Sequence, residues 1–459
     1  MRDKKYTFLR KSLALLLIGG SLALVTPQAS AAALEISLDD SIAIALKNNP
    51  AIRISESSLD VAASELDQAK NGYQPQLSYS FSAQRIGSPS SESTSRASQV
   101  VDSSGNVIGS TVSRTTFTPR SSTDKYDNKL SLSVPLYTGG KLEGTVNQMD
   151  LNYQSSQLAL ENTRQQIRYS ATVYYYAILE AQNMLKVNQE AVRDLKQHLK
   201  NVEAQYAVGT VAKSDVLQSQ VNLANAEQNL IKAENAYQLS LSNMNNVMGI
   251  SLDTELKIKD TLKYTKYQIA LADATKYALA HRPDKAQSDL AIASAKEGVT
   301  VANSGYKPTV TASGMTDWND TKFAGTSNYN WVVGVSATWN IFDGGITKAQ
   351  VKQATASVEK ATHTARQTSD TVILDVQQAY LNLREAEKRI ATTQVAVDQA
   401  EENYRIAQVR YSSGVGTNTD VMDAETNLTT AKTNAVQALY DYNTSKAQLD
   451  KAMGIAVAK

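Results

Sequence analysis

Tyr206-Ala207-Val208-Gly209, followed by Ser214-Asp215-Val216, returns almost unchanged as Tyr411-Ser412-Ser413-Gly414, followed by Thr419-Asp420-Val421, an offset of 205 residues (411 − 206). The same offset carries Asn222-Leu223 onto Asn427-Leu428 and Met248-Gly249-Ile250 onto Met453-Gly454-Ile455. A second set of markers, Pro50 and Gly72-Tyr73-Gln74-Pro75, recurs at Pro283 and Gly305-Tyr306-Lys307-Pro308, offset by 233 (283 − 50). One long unit is therefore written twice, in residues 34–250 and 269–455, with 251–268 as a linker. A period this long is outside the range of solenoid repeats and indicates a duplicated domain.

Each copy opens with a polar, alanine-rich helical stretch, Leu38 to Lys70 and Ile269 to Ser304, which stops at the Gly-Tyr-x-Pro break because proline bars its continuation. The period then changes from 3.6 to 2. Leu77, Tyr79, Phe81 and Ala83 alternate with small polar residues, as do Leu130, Leu132, Val134 and Leu136. The second copy has a weaker strand at Val310 to Trp318 and a strong one through Trp331, Val333, Val335, Ala337, Trp339 and Ile341. Strands with one apolar and one polar face, and no bulky helical surface nearby to cover them, fit a membrane barrel. Trp331 and Trp339 stand about 26 Å apart on one face at ~3.3 Å per residue, close to the height of an apolar band between aromatic girdles. The barrel portion is expected in 76–137 and 308–342. Between the first two strands Arg85 to Lys125, rich in Ser and Thr, reads as a mobile external loop.

Tyr137-Thr138-Gly139-Gly140 and Phe342-Asp343-Gly344-Gly345 follow the second strand of each copy. Their paired glycines read as strand–helix hinges, since neither dinucleotide nor P-loop spacing is present. A proline-free helix then runs from about Lys141 to Tyr206, and from about Ile346 to Tyr411. Ile178, Leu185, Val192, Leu199 and Tyr206 repeat every seven residues; so do Leu383, Ile390, Val397, Tyr404 and Tyr411, beside the small line Ala379, Ala386, Thr393, Ala400 and Ala407. This is coiled-coil packing with close approach. Gly209 and Gly414 suit a left-handed helix end, and Ser214 and Thr419 are the expected N-caps of the returning helices. Four strands cannot close a barrel in lipid, so closure must come from oligomerisation: two chains would give eight strands, three would give twelve and leave a channel.

Arg2, Lys4, Lys5, Arg10 and Lys11 precede an apolar run from Ser12 to Val25 and the small residues Ala29-Ser30-Ala31, so residues 1–31 read as an export signal. With no cysteine the exported chain relies on non-covalent packing. A net charge of +1 with mixed signs gives no case for nucleic acid. His198, His281 and His363 form no metal-spaced motif; His198 and His363 read as solvated helix-face residues, and neither enzyme activity nor a cofactor is expected.

The Pro-Leu-Tyr-Thr-Gly-Gly and Asn-Ile-Phe-Asp-Gly-Gly junctions, the doubled Tyr-x-x-Gly turns and the Met-Gly-Ile ends, in this order from Leu38 to Ile455, resemble the TolC-type outer membrane efflux protein family. The resemblance implies a mainly α fold with a membrane β portion: duplicated helical hairpins in a trimeric α-barrel tunnel, continuous with a 12-stranded β-barrel to which each chain gives four strands. It implies a homotrimer in outer membrane lipid with a periplasmic extension, serving a periplasmic adaptor and an inner-membrane transporter in efflux or type I secretion as a passive exit duct. The alternative is a periplasmic coiled-coil stalk or adaptor without a pore.

Asp420 and Asp423, three apart and so on one helix face, match the family's acidic ring at the tunnel entrance, where mutual repulsion would raise carboxylate pKa values. First-turn acids also favour the helix dipole, but the first copy has Gln218 where the second has Asp423. Tyr411 and Asp215 match positions that hydrogen-bond the two halves of the gate. Gly416 stands where a family arginine can add to that lock. Val208, Gly209, Thr210, Val211, Gly414 and Val415 would form the tips that meet the adaptor.

Overall fold

A computed structural model describes residues 34–95, 99–110 and 114–456. The expected export signal lies outside the described residues. The first repeat runs β1 (Leu34–Ile36), α1 (Leu38–Asn48), α2 (Pro50–Asn71), β2 (Gln76–Ser88), β3 (Ser91–Ser95), β4 (Gln99–Val101), β5 (Val107–Ser110), β6 (Arg114–Thr118), β7 (Ser121–Tyr137), α3 (Lys141–Ala207) and α4 (Lys213–Met248). The second runs β8 (Leu256–Ile258), α5 (Leu271–His281), α6 (Pro283–Asn303), β9 (Thr309–Asp320), β10 (Tyr329–Thr338), α7 (Ile346–Ser412) and α8 (Asn418–Ala452). No described helix is long and apolar enough to cross a membrane.

The four long strands form one antiparallel sheet in the order β10-β9-β7-β2. Its register sets Tyr79, Leu130, Thr316 and Trp331 in one row and Leu77, Leu132, Gly314 and Val333 in the next. Because side chains alternate faces, these rows and Val134, Ala312 and Val335 make one apolar face. Ser78, Ser131, Ser313, Asp317, Asn330 and Ser336 lie on the other. Tyr79, Phe81, Tyr126, Trp318 and Phe323 cluster at the end of the sheet remote from the helices. Trp339 lies just past the end of β10, where its indole N–H donates to the carbonyl of Tyr306 at 3.0 Å.

Within the segment read as a mobile external loop, the described residues carry strands. The β2–β7 ladder continues to Ser88 and Ser121, and β3–β6 and β4–β5 pair beyond it. Asp102 accepts from the amides of Ser104 and Asn106 and Gly105 takes a positive φ, the local chemistry of a tight turn. The sequence between 251 and 268 is likewise no free linker. β8 pairs in parallel with β1, and the following segment is tied down by Tyr442 Oη donating to the carbonyl of Thr265 (2.7 Å), Asn443 to that of Lys263 (3.1 Å) and Tyr267 Oη to Asp450 (2.8 Å).

Helix order repeats strand order. α2, α3, α6 and α7 pack side by side below the sheet; further down, α4 and α8 replace α2 and α6 beside the continuing α3 and α7. At 1.5 Å per residue the 67 residues of α3 or α7 span roughly 100 Å. Gly140 and Gly345, at φ 96° and 88°, are the helix N-caps, a left-handed backbone that a Cβ would penalise. The seven-residue line of α7 is a core line: Val372, Val376, Ala379, Leu383 and Ala386 are buried, as are Tyr404, Ala407 and Tyr411. α3 instead buries two faces, one through Ala171, Tyr175 and Ile178, the other through Ala191, Leu195, His198 and Val202. α3 is thus interior to the chain and α7 is at its edge.

The mid-height core gathers Ile36, Ile52, Tyr175, Ile178, Met244 and Met248 around α1 and the β1–β8 pair. Ile178→Ala should lower unfolding stability by about 2–5 kcal/mol through lost burial and a cavity. Thermal unfolding of the detergent-purified protein, followed by circular dichroism, checks this.

Candidate functional site

The two hairpins end in turns of one design. Gly209 and Gly414 take φ of 77° and 76°, and the amides of Thr210 and Val415 donate back to the carbonyls of Gln205 and Arg410. Val208 and Val415 are exposed at 75% and 68%, whereas Val211 turns inward against the core beneath the tips. That core joins Val202 and Val216 of the first hairpin to Tyr404, Ala407, Tyr411, Val421 and Leu428 of the second.

The returning helices start two residues earlier than Ser214 and Thr419 suggested. Ala212 is the N-cap of α4 and makes no side-chain cap. Thr417 caps α8 in a reciprocal box: its Oγ1 accepts from the Asp420 amide, and the Asp420 carboxylate accepts from the Thr417 amide (2.9 Å). A cap three residues before an acid is the stronger signal because it satisfies two end donors at once.

Asp420 and Asp423 are exposed on one face of α8, away from Val421, Ala424 and Leu428. Within the chain the Asp420 carboxyl is held below its ordinary pKa by the Thr417 backbone and side-chain hydrogen bonds, with Arg410 nearby adding to the effect. The rise expected from a ring of acids concerns three chains together, which one chain does not assemble. Gly416 leaves no room for a larger residue without movement: a Cβ there would lie 3.1 Å from Arg410 Cβ and 3.0 Å from the Tyr411 amide nitrogen.

Tyr411 and Asp215 are neighbours but are not hydrogen-bonded. The Tyr411 hydroxyl is buried without a partner, and burial, then the Asp215 charge, raise its pKa. Asn418 makes the polar tie instead. Its Oδ1 accepts from His198 Nε2–H (2.7 Å) and from the Ser219 hydroxyl (3.1 Å), and its Nδ2 donates to the Asp215 carbonyl (3.3 Å). One side chain of α8 thereby holds α3 and α4. His198 is not a solvated face residue: it is 4% exposed, with its ring centroid 5.0 Å from that of Tyr411. The three-and-four spacing Leu195, His198, Val202 on α3 was the available signal. Higher up, Lys432 of α8 bridges Glu190 of α3 and Glu401 of α7 at 2.9 and 3.3 Å. Among the described residues no group of His, Cys, Asp and Glu could hold a metal ion.

Residues 42–250 and 274–455 match the family described as Outer membrane efflux protein. The chain belongs to that family. It is 25% identical to Outer membrane protein TolC of Escherichia coli over 324 residues, 66% of this chain and 63% of TolC, so the match spans less than two thirds of that relative. To the Alkaline protease secretion protein AprF of Pseudomonas aeruginosa it is 22% identical over 439 residues, 92% of this chain and 85% of AprF. The solved Campylobacter jejuni CmeC outer membrane channel superposes with a TM-score of 0.76 at 18% identity, covering 91% of this chain and 85% of that one. At that identity it shows the fold: mostly helical, of the TolC-type channel kind.

The Asn418 tie yields two expectations. Asn418→Ala should leave His198, Ser219 and the Asp215 carbonyl short of partners at roughly 1–3 kcal/mol for each buried group unpaired. Hydrogen exchange in 198–216 and 410–425 should then rise relative to the mid-height core. Burial lowers the His198 pKa below its ordinary value, while the Asn418 bond opposes the shift. The unfolded chain therefore takes up the proton first, so this contribution is whole above about pH 6.5 and is lost as pH falls toward the folded-state pKa. Glu425, raised by burial, acts in the opposite sense, so the difference between wild type and His198→Gln isolates the histidine.

Proposed function

We propose that this chain is one of three identical parts of a passive exit duct through the outer membrane, receiving cargo from a periplasmic adaptor and an inner-membrane transporter. The observation that carries the reading is a coincidence of flanks. β2 and β10 are the two edge strands of the sheet, each paired on one side only among the described residues. Below them, on those same two flanks, apolar side chains stand uncovered. Ile54 and Val61 of α2 and Leu217 and Val221 of α4 are exposed on one side, and Leu374, Leu381, Val395 and Val409 of α7 on the other. Head-to-tail addition of further copies would pair β10 with β2 and cover α7 with α2 and α4 in a single operation, and such heterologous contacts give a ring when the rotation between copies closes.

Three copies give twelve strands, enough for an open bore, whereas eight strands are filled by their own side chains. The apolar sheet face meets lipid and the polar face lines the channel. The role is transport without chemistry. Three pairs of Asp420 and Asp423 would ring the narrow periplasmic end and favour cations. The Asn418 tie, rather than a Tyr411–Asp215 bond, would hold the halves closed, with Arg410 the cation nearest the acids. Val208, Gly209, Thr210, Gly414 and Val415 would meet the adaptor, with Val211 supporting them from inside.

Detergent extraction should yield heat-resistant trimers with a small, cation-preferring conductance in planar bilayers. Asp420→Ala with Asp423→Ala should raise that conductance and abolish the preference. Unchanged selectivity would remove the gate from these residues. Protein recovered soluble and without any channel would leave a structural stalk.

A further inference from the structure

A recess of about 670 Å³ lies where the sheet meets the helices, and neither the acidic tips nor the membrane band accounts for it. Its place follows from strand parity. Thr309 and Thr338 line it and pair with each other in the β9–β10 register. They share parity with Asn330 and Ser336, the polar face, while Trp331, Val333 and Val335 point the other way. The recess therefore opens on the channel side.

Its shape comes from unequal side chains. The floor is α6, where Ala295, Gly298 and Ala302 are small; the walls are Gln148 of α3 and Gln350 and Gln353 of α7. Gln148 is held in place by donating to the Ser294 carbonyl at 3.1 Å.

The charge is one-sided. Lys141 and Lys307 line the recess and no carboxylate does. Among the described residues neither lysine forms an ion pair. Lys307 reaches back over the hinge, its Nζ 3.9 Å from where a Cβ on Gly140 would stand. The equivalent hinge of the second repeat differs: Asp343 occupies the place of Thr138, and its carboxylate accepts from the Gly345 and Thr347 amides. The first repeat has Thr138 in place of that acid, and two ammonium groups in a hydroxyl- and amide-lined hollow have no ion-pair partner among the described residues.

We propose that this recess is a transit site for anionic small molecules, with Lys141 and Lys307 binding a carboxylate or phosphate group and the glutamines hydrogen-bonding the rest. The site rests on the duct reading for its access to cargo. Three copies would set six lysines around the upper bore, opposite in sign to the acids at the far end of the tunnel. Selectivity would then be exerted twice in series, on cations at the tips and on anions at the junction.

The test uses citrate as probe on the full detergent-purified protein at about 0.15 M salt, where exposed charges beyond ~8 Å are screened. Isothermal titration should show saturable citrate binding that weakens at least about tenfold in Lys141→Gln/Lys307→Gln, the scale of lost charge-assisted hydrogen bonds. Lys141→Arg/Lys307→Arg should retain binding, which separates loss of charge from misfolding. In planar bilayers citrate should block wild-type channels and spare the glutamine variant. No citrate binding to wild type, or equal binding to the glutamine variant, overturns the site. Binding without block removes it from the channel. Binding by a protein that never conducts would instead overturn the duct reading, and with it the transit role.

Discussion

A strand in hydrocarbon cannot leave its amides and carbonyls unpaired, because no water is present to take them and each orphaned group costs several kcal/mol. β2 and β10 each leave one such row unpaired among the described residues, on a sheet with one apolar face. In the proposed duct, further copies of the chain would satisfy that demand. Since α2, α3, α6 and α7 follow the order of the strands that they join, pairing the strand edges brings the uncovered stripes of the helices together as well. In the proposed duct the sheet edges set the ring, and the helices would carry it downward as a tunnel.

Duplication supplies two nearly equivalent hairpins, and function accumulates where they differ. α3 buries two faces and α7 only one, so the first long helix is interior to the chain and the second lies at its edge. Asp423 has Gln218 as its counterpart, which confines the acid pair to one hairpin. Asp343 faces Thr138 across the repeat, which leaves the first hinge cationic. At the tips Thr417 has a capping partner in Asp420, and Ala212 has none. None of these differences alters the backbone path; the last three change charge or end satisfaction at a helix end or a strand–helix hinge.

The core beneath the tips is smaller than the core at mid-height. Mid-height, Tyr175, Ile178, Met244 and Met248 are fully buried together, and opening that core would forfeit several large side chains at once. At the tips the halves meet through a smaller cluster and the Asn418 amide, with the Tyr411 hydroxyl buried without a partner. Unpaired buried polar groups reduce the net stability of the contact that encloses them. If the tips open as the proposed gate requires, a smaller core there suits a segment of lower local stability.

The sequence by itself determined the duplication, the long helices, the main strands and the family, because period, proline breaks and paired glycines act over a few residues and need no partner. It marked Leu77, Leu132, Val333 and Val335 as a face, since alternation survives whatever the strand pairs with. The aligned positions of Asp420 and Asp423 were legible for the same reason. Tertiary structure alone decided which strands neighbour one another, that Val211 turns inward, and that residues 251–268 pair with the start of the chain, since these depend on contacts hundreds of residues apart. It moved the polar tie from Tyr411 and Asp215 to Asn418 and His198, because a hydrogen bond is set by ångström-scale placement across two hairpins and not by residue type. The recess around Lys141 and Lys307 was invisible for a further reason: its lysines, glutamines and small residues come from three helices and two strands, and only packing brings them to one hollow.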